Sequence, residues 1–278
     1  MVTQKEKADR FRTLHENRGA FIIPNPWDIG SARLLEGLGF EALATTSAGF
    51  ANSLGRLDGE VSRNEVIMHC RALCEATDLP VSADLENCFA DDPEDAAETI
   101  RLGSQAGLSG GSIEDFSGDP SKPIYGFNHA VERVHAAAEA ARAVEFSFML
   151  TARAENLLRG IDDLDDTIRR LQAFEAAGAD VLYAPGLTTL EQVELVTSAL
   201  TKPVNVLAQL IKGATVADLA GVGAKRISIG SALSRAAITS LINAGIHMRD
   251  HGSFEWATDL ASGKEVEKLL KRESGRND

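Results

Sequence analysis

The chain has 278 residues, 44% of them hydrophobic, which is enough for one large core and falls in the range of a single α/β barrel domain. Its formal net charge of −13 argues against nucleic acid or an anionic membrane surface as partner, since both require basic patches. Three cysteines are too few for a disulfide framework, and no apolar run resembles a signal peptide or a membrane span, so a reducing cytoplasm is the expected setting.

In chain order, residues 4–17 form a polar helix-like stretch whose Phe11 and Leu14 are expected to pack against the bottom of the domain. GAFIIPNPWD reads as a first strand, and IGSARLLEGLG as a helix closed by Gly37 or Gly39. EALATTSAGF reads as a strand and loop. The helix that follows, SRNEVIMHCRALCEATD, has Ser62 as its N-cap and Glu65 at the capping-box position. PVSADLE is the third strand, and Pro93 opens the helix after it. The alternation continues with LSGGSIED, FSFMLTARAE, DVLYAP, KPVNVLA and KRISIG, each joined to the next by a helical segment. After the eighth helix, SALSRAAITSLINAG, residues 248–278 read as one or two further helices and a frayed tail, ESGRND.

Eight short apolar strands alternating with helices match a single (β/α)8 barrel of the triosephosphate isomerase type, with residues 1–19 and 248–278 as added helical segments around a barrel at 20–247. A doubly wound sheet is the alternative, weakened because no GxGxxG follows the first strand.

Side chains alternate along a strand, so Val81, Ala83 and Leu85 share one face while Ser82, Asp84 and Glu86 share the other. By the same rule Glu114 lies on the side of Ser112, and Arg153 on the side of Thr151. In a barrel all these strand ends face one cavity. Converging carboxylates raise one another's pKa unless a cation sits among them, and an oxygen-only donor set favours Mg²⁺ or Mn²⁺ over zinc. Asp84 would then bind the metal directly, with Glu86 and Glu114 acting through water. Arg153 would hold a carboxylate or phosphoryl group in a planar fork. The alternative reading makes Arg153 a structural ion pair for Glu114. Schiff-base chemistry finds no lysine at a strand end, so a metal-stabilised enolate is preferred. Trp27 could wall the cavity or cap the core, and Gly230 with Ser231 could receive a phosphate or form a plain turn.

The ordered set NPWDIGSARLLEGLGFEALATTSAGF, GRLDG, ADLENCF, GGSIED and TARAE resembles the isocitrate lyase/phosphoenolpyruvate mutase superfamily over roughly residues 20–245. The resemblance implies a Mg²⁺-dependent barrel that stabilises the enolate of a small 2-oxo acid. By motif, Ser47 and the backbone of Ala48 and Gly49 would contact the substrate carboxylate, and Asp58 would lie near the metal's waters. Asp84 would be the direct ligand, Glu86 and Glu114 would hold its waters, and Arg153 would bind substrate, with Asn205 a further pocket candidate. The resemblance also implies a homodimer or homotetramer in which the eighth helix is exchanged between subunits.

The chain departs from two branches of that superfamily. Isocitrate and methylisocitrate lyases carry a Lys-Lys-Cys-Gly-His type segment after strand four, whereas EDFSGDPSKPIYGFN has no cysteine, which argues against both activities. Phosphonate enzymes place a lysine directly after the Glu-Asp pair, and Phe116 stands there instead. The expected function is therefore a carbon–carbon lyase or decarboxylase for a small 2-oxo or 2-hydroxy dicarboxylate. A phosphonate mutase or hydrolase, and a degenerate barrel that only binds a keto acid, are the alternatives. The loop from Asp115 to Phe127, long and broken by Gly118, Pro120, Pro123 and Gly126, is expected to be a lid carrying Lys122 and Tyr125 as its proton- or anion-handling side chains.

Overall fold

A computed structural model describes residues 2–271; the ESGRND tail lies outside the described residues. Eight parallel strands make one curled sheet of order β1-β8-β7-β6-β5-β4-β3-β2. They are β1 (Phe21–Ile22), β2 (Leu43–Ala44), β3 (Val81–Ala83), β4 (Gly110–Glu114), β5 (Met149–Arg153), β6 (Val181–Tyr183), β7 (Val204–Leu207) and β8 (Arg226–Ser228). The seam between β1 and β2 is bridged by Ala44 N–H donating to Pro24 C=O at 3.0 Å and by the Asn25 amide donating to Thr45 C=O at 3.0 Å. This is the (β/α)8 barrel that the alternation of elements predicts.

The helices are α1 (Gln4–Glu16), α2 (Ile29–Gly37), α3 (Ser47–Ser53), α4 (Arg63–Ala76), α5 (Pro93–Gln105), α6 (Phe127–Arg142), α7 (Leu164–Ala176), α8 (Leu190–Ser198), α9 (Val216–Gly221), α10 (Ala232–His251) and α11 (Gly263–Leu270). Local chemistry sets their starts. Ser62 and Glu65 form a reciprocal capping box on α4, and Asp92 caps α5, in which Pro93 takes the first position where a missing N–H is harmless. One helix was not expected: after β2 the Thr46 hydroxyl accepts from Gly49 N–H and starts α3 inside what reads as loop. Helix α10 also runs four residues past the expected barrel boundary at 247, to His251, where Gly252 ends it in a left-handed conformation.

Helix α1 closes the bottom of the barrel, as its apolar residues predict. Phe11 is fully buried among Phe21, Ile23, Ala42, Met149 and Val181. Gly110 makes this possible, because a Cβ there would come within 2.6 Å of Met149 C=O and 3.1 Å of the Phe11 ring. The main core lies between the outward strand faces and the helices, with Val81, Ala83, Leu85 and Ile113 among its buried members. These side chains alternate with the inward Ser82, Asp84, Ser112 and Glu114, so the strands carry two different environments.

Helix α10 is the exception to this packing. Of its 20 residues only Ser234 and Ala244 are buried, while Leu241, Ile242, Ile246 and Met248 are exposed. On the barrel, Ile22 of β1 is left partly uncovered.

A candidate active site at the carboxyl ends of the strands

A cavity of about 730 Å³ opens where the strand ends converge, lined among others by Asp58, Asp84, Glu86, Glu114, Arg153 and Arg159. Asp84 stands directly after β3. Its N–H donates to the Thr45 hydroxyl at 2.9 Å, and one carboxylate oxygen accepts Ser47 N–H at 3.3 Å, so the ends of β2 and β3 fix it jointly.

Glu86 reaches the cavity by a route that strand alternation did not predict. β3 stops at Ala83, and Glu86 adopts a left-handed backbone with φ 51°, followed by Cys88 and Phe89, each at φ 59°. The chain turns here because side chains replace the missing ladder: Leu85 N–H turns to the Ser112 hydroxyl, and Phe89 N–H to the Asn87 amide oxygen at 2.9 Å. Non-glycine residues in this region are strained, and such strain gathers at functional sites.

Arg153, at the end of β5, is surrounded by acid. Its Nη1 lies 2.8 Å from Asp84, Nη2 3.1 Å from Glu114 and Nη2 2.8 Å from Glu155. A second guanidinium, Arg159, pairs with Glu155 at 3.1 Å and Glu114 at 3.5 Å, and lies 3.4 Å above the Phe116 ring. Glu155 and Arg159 were absent from the expected set. Glu155 had a signal, since it stands two residues beyond Arg153 in the same alternation, and Arg159 follows it at i+4. The pairing of Arg153 with Glu114 is the structural ion pair named above as the alternative, and it extends to three carboxylates.

The electrostatics remain short of positive charge. Burial pushes Glu114 well above the usual carboxylate range, against the pull of Arg153. Burial, then Asp84 and Asp58, push Glu86 up to about 7. Among the described residues, no three His, Cys, Asp or Glu side chains are gathered closely enough to ligate an ion together. A hard cation that keeps most of its own water needs only a single direct carboxylate and nearby acidic acceptors, which Asp84 with Glu86 and Glu114 offers in this cavity. The donor set therefore fits Mg²⁺ or Mn²⁺.

The remaining candidates divide. Ser47, Ala48 and Asn205 line the cavity, as do Gly230 and Ser231. Gly49 is buried behind them: its N–H is taken by the Thr46 cap, and a Cβ would meet Thr46 Cγ2 at 2.6 Å and Trp27 Cβ at 3.0 Å. Trp27 thus packs against α3. Lys122 is exposed at the tip of its loop, away from the cavity lining. The Tyr125 hydroxyl is committed to Asp91, with Asn87 at 3.4 Å and the Arg133 guanidinium 4.3 Å from its ring. The loop itself is a small hairpin, with an antiparallel bridge between Phe116 and Ile124 and Ser117 N–H donating to Pro123 C=O at 2.8 Å. Its base is held by Arg170, which donates to Asp115 at 3.1 Å and to Tyr125 C=O at 3.0 Å.

A parallel barrel with acidic and guanidinium groups gathered at its strand ends is the architecture of the lyase and mutase enzymes to which this chain is similar. The phosphoenolpyruvate phosphomutase family matches residues 11–248, and the chain belongs to that family. Among similar solved structures is a protein of Burkholderia cenocepacia J2315 provisionally assigned as a lyase/mutase, with 51% identity, a TM-score of 0.94, and coverage of 96% of this chain and 97% of that one. A 2-methylisocitrate lyase of Vibrio cholerae is 29% identical over 245 residues, 82% of this chain and 78% of its own. Phosphonopyruvate hydrolase, solved with oxalate and Mg²⁺, shares the fold at TM-score 0.82 and 22% identity, covering 97% of this chain and 95% of its own.

Proposed function

We propose that this enzyme is a Mg²⁺-dependent carbon–carbon lyase or decarboxylase acting on a small 2-oxo or 2-hydroxy dicarboxylate. The observation that carries the reading is the meeting of Asp84 and Glu114 on Arg153 at the mouth of the barrel, with Glu86 lining the same cavity. Asp84 would hold the ion directly, with Glu86, Glu114 and Asp58 accepting from its waters. Bound there, the ion supplies the positive charge that an enolate needs. Arg153 and Ser47 orient the substrate carboxylate, and Asn205 presents an amide from β7. No cysteine serves the site: Cys70, Cys74 and Cys88 are free and buried, and none lines the cavity, which argues against methylisocitrate cleavage.

One observation favours a second reading, phosphorus–carbon chemistry. Arg159 above the Phe116 ring returns a positive charge to the place where phosphonate enzymes have lysine. A panel of oxaloacetate, substituted malates, methylisocitrate and phosphonopyruvate with Mg²⁺ separates the readings. Pyruvate or glyoxylate from the carbon acids supports the first. Phosphate from phosphonopyruvate supports the second, and silence across the panel returns the chain to a binding barrel.

The chain works as a homodimer or homotetramer in a reducing cytoplasm on this reading. Support comes from α10, whose apolar side chains lack cover within one chain, and from the partly uncovered Ile22, which a helix from a second copy would seal.

A further inference from the structure

Beneath Arg153 the interior of the barrel carries polar side chains and a buried guanidinium that makes no ion pair among the described residues. Arg226, on β8, is 5% exposed. Its side chain crosses the barrel: Nε donates to the Asn205 amide oxygen at 2.8 Å on β7, and Nη2 to the Thr151 hydroxyl at 2.9 Å on β5. Its Nη1 has no hydrogen-bond partner. Among the described residues no carboxylate pairs with it, and its one charge-bearing neighbour of opposite potential, Tyr183, stays a neutral phenol because burial pushes it up to about 12. Burial lowers Arg226 itself only to about 10, so the guanidinium remains a cation at neutral pH.

A buried cation without a counter-charge is costly, and a buried N–H without an acceptor adds to that cost. Its polar contacts are with neutral groups, the Asn205 amide and the Thr151 hydroxyl, with the Ser228 hydroxyl bonded to the same Asn205, and the carboxylates of the cavity, Asp84 and Glu114, are paired with Arg153 instead. This space belongs to the same cavity as Arg153. Thr151 stands two residues before Arg153 on β5, so at about 3.3 Å per residue the anchored Nη2 lies roughly 7 Å below the level of Arg153. A four- or five-carbon diacid spans that gap.

The geometry points to Arg226 as the floor of a second carboxylate subsite, with its unpartnered Nη1 and the neighbouring hydroxyls receiving a carboxylate that enters the barrel interior. Resting on the lyase reading above, the assignment makes the substrate a diacid held at both ends, with Arg153 at the mouth and Arg226 below. The Asn205 amide gains a fixed orientation from the same contact, because Arg226 occupies its oxygen and leaves Nδ2 to donate to Ser228 at 3.0 Å. The same chemistry could instead serve a free small carboxylate that resides in the barrel.

Calorimetric binding to the Mg²⁺-loaded protein tests this without relying on turnover, so an inactive enzyme would count against the lyase reading and leave this one standing or falling by itself. The probes are malate and 2-hydroxybutyrate, which has a methyl in place of the second carboxylate. Wild type should prefer malate by at least about tenfold, the ratio expected for one charge-assisted hydrogen bond, and Arg226→Met should abolish that preference while keeping 2-hydroxybutyrate affinity within about twofold. Arg226→Lys, which keeps the charge in case the methionine variant fails to fold, should retain part of the preference. For a resident free anion, the two probes bind wild type equally, and formate raises the thermal midpoint of wild type but not of the variant. A preference for malate that survives in both variants overturns the assignment. So does the absence of both a malate preference and a formate effect in wild type.

Discussion

Arg153 has all three guanidinium nitrogens engaged by carboxylates: Nε lies 3.0 Å from Glu155, Nη1 2.8 Å from Asp84 and Nη2 3.1 Å from Glu114. Lysine can carry the charge but cannot reproduce three directions from one plane. Arg153→Lys should therefore lower kcat/KM by roughly ten- to a hundredfold, corresponding to about 1.5–3 kcal/mol for a hydrogen bond to a charged group. Arg153→Met goes further, leaving the buried Glu114 and Glu155 with Arg159 alone, at 3.5 and 3.1 Å, and should destabilise the fold by about 3 kcal/mol in denaturant titration. Near-normal turnover in Arg153→Lys would return the residue to a purely structural role.

Asp84 is the acid that Arg153 shares with the cavity, and it is the one expected to leave that partner for a cation. Asp84→Ala should weaken Mg²⁺-dependent oxalate binding by at least about tenfold, the loss of one charge-assisted contact. It should also free one arm of Arg153. Calorimetry with unchanged affinity would show that the ion is held elsewhere.

Most of the barrel could be read from the chain because its signals are local. The capping boxes, Pro93 and the apolar strands each depend on neighbours only a few residues away, and the parity that places Glu114 beside Ser112 holds because β4 is five residues long. Parity fails where the strand is short. β3 has three residues, so extending its alternation to Glu86 assumed a ladder that Ser112 and Asn87 side chains replace. Arg226 and Arg159 were missed for another reason. An arginine at the edge of a short strand or in a loop looks solvated in sequence, and only the closing of the barrel shows that Arg226 crosses its interior.

His15, at the bottom of the barrel, gives a pH dependence of definite sign. It is 5% exposed, lies edge-on to Phe11 and Phe21, and its pKa is lowered to about 3 by burial and then by Arg226, while its bond to Phe11 C=O opposes the shift. The folded state takes up this proton less readily than the unfolded chain, whose histidine has its ordinary value near 6.5. Its contribution is therefore complete above about pH 6.5 and is lost as pH falls toward 3, amounting to about 3 kcal/mol by pH 4. His69, lowered to about 4 mainly by burial, acts in the same direction. His15→Phe keeps the aromatic packing and removes the proton site, so its stability should fall less steeply than wild type between pH 6.5 and 4. Parallel curves would show that His15 is already exposed before unfolding.

Leu241 is 72% exposed on α10 within one chain, too large an aliphatic surface to leave beside exposed Ile242 and Ile246. If a second copy covers this helix, burying such a side chain contributes about 1.5–3 kcal/mol. Leu241→Glu should then weaken self-association by at least about tenfold, visible as a lower sedimentation mass on dilution. An unchanged mass would place the subunit contact away from α10.

The hairpin from Asp115 to Phe127 offers a final test, because its two ends are held differently. The base is fixed by Arg170 on Asp115 and Tyr125, and by Tyr125 N–H donating to Asp115 C=O at 2.9 Å. The tip, residues 118–122, is exposed, and Phe116 meets the cavity under the Arg159 guanidinium. A tip that moves on a fixed base can exclude water from an enolate when substrate binds. Trypsin is closed to Lys122 because Pro123 follows it, so the probe is an endoproteinase that cuts before Asp119. With Mg²⁺ and oxalate at ten times the dissociation constant, cleavage of a ligand-closed loop should slow by roughly tenfold, in proportion to the remaining free protein. Equal cleavage with and without ligand would mean that the hairpin is an ordered surface loop, with Phe116 and Arg159 forming a fixed wall of the cavity.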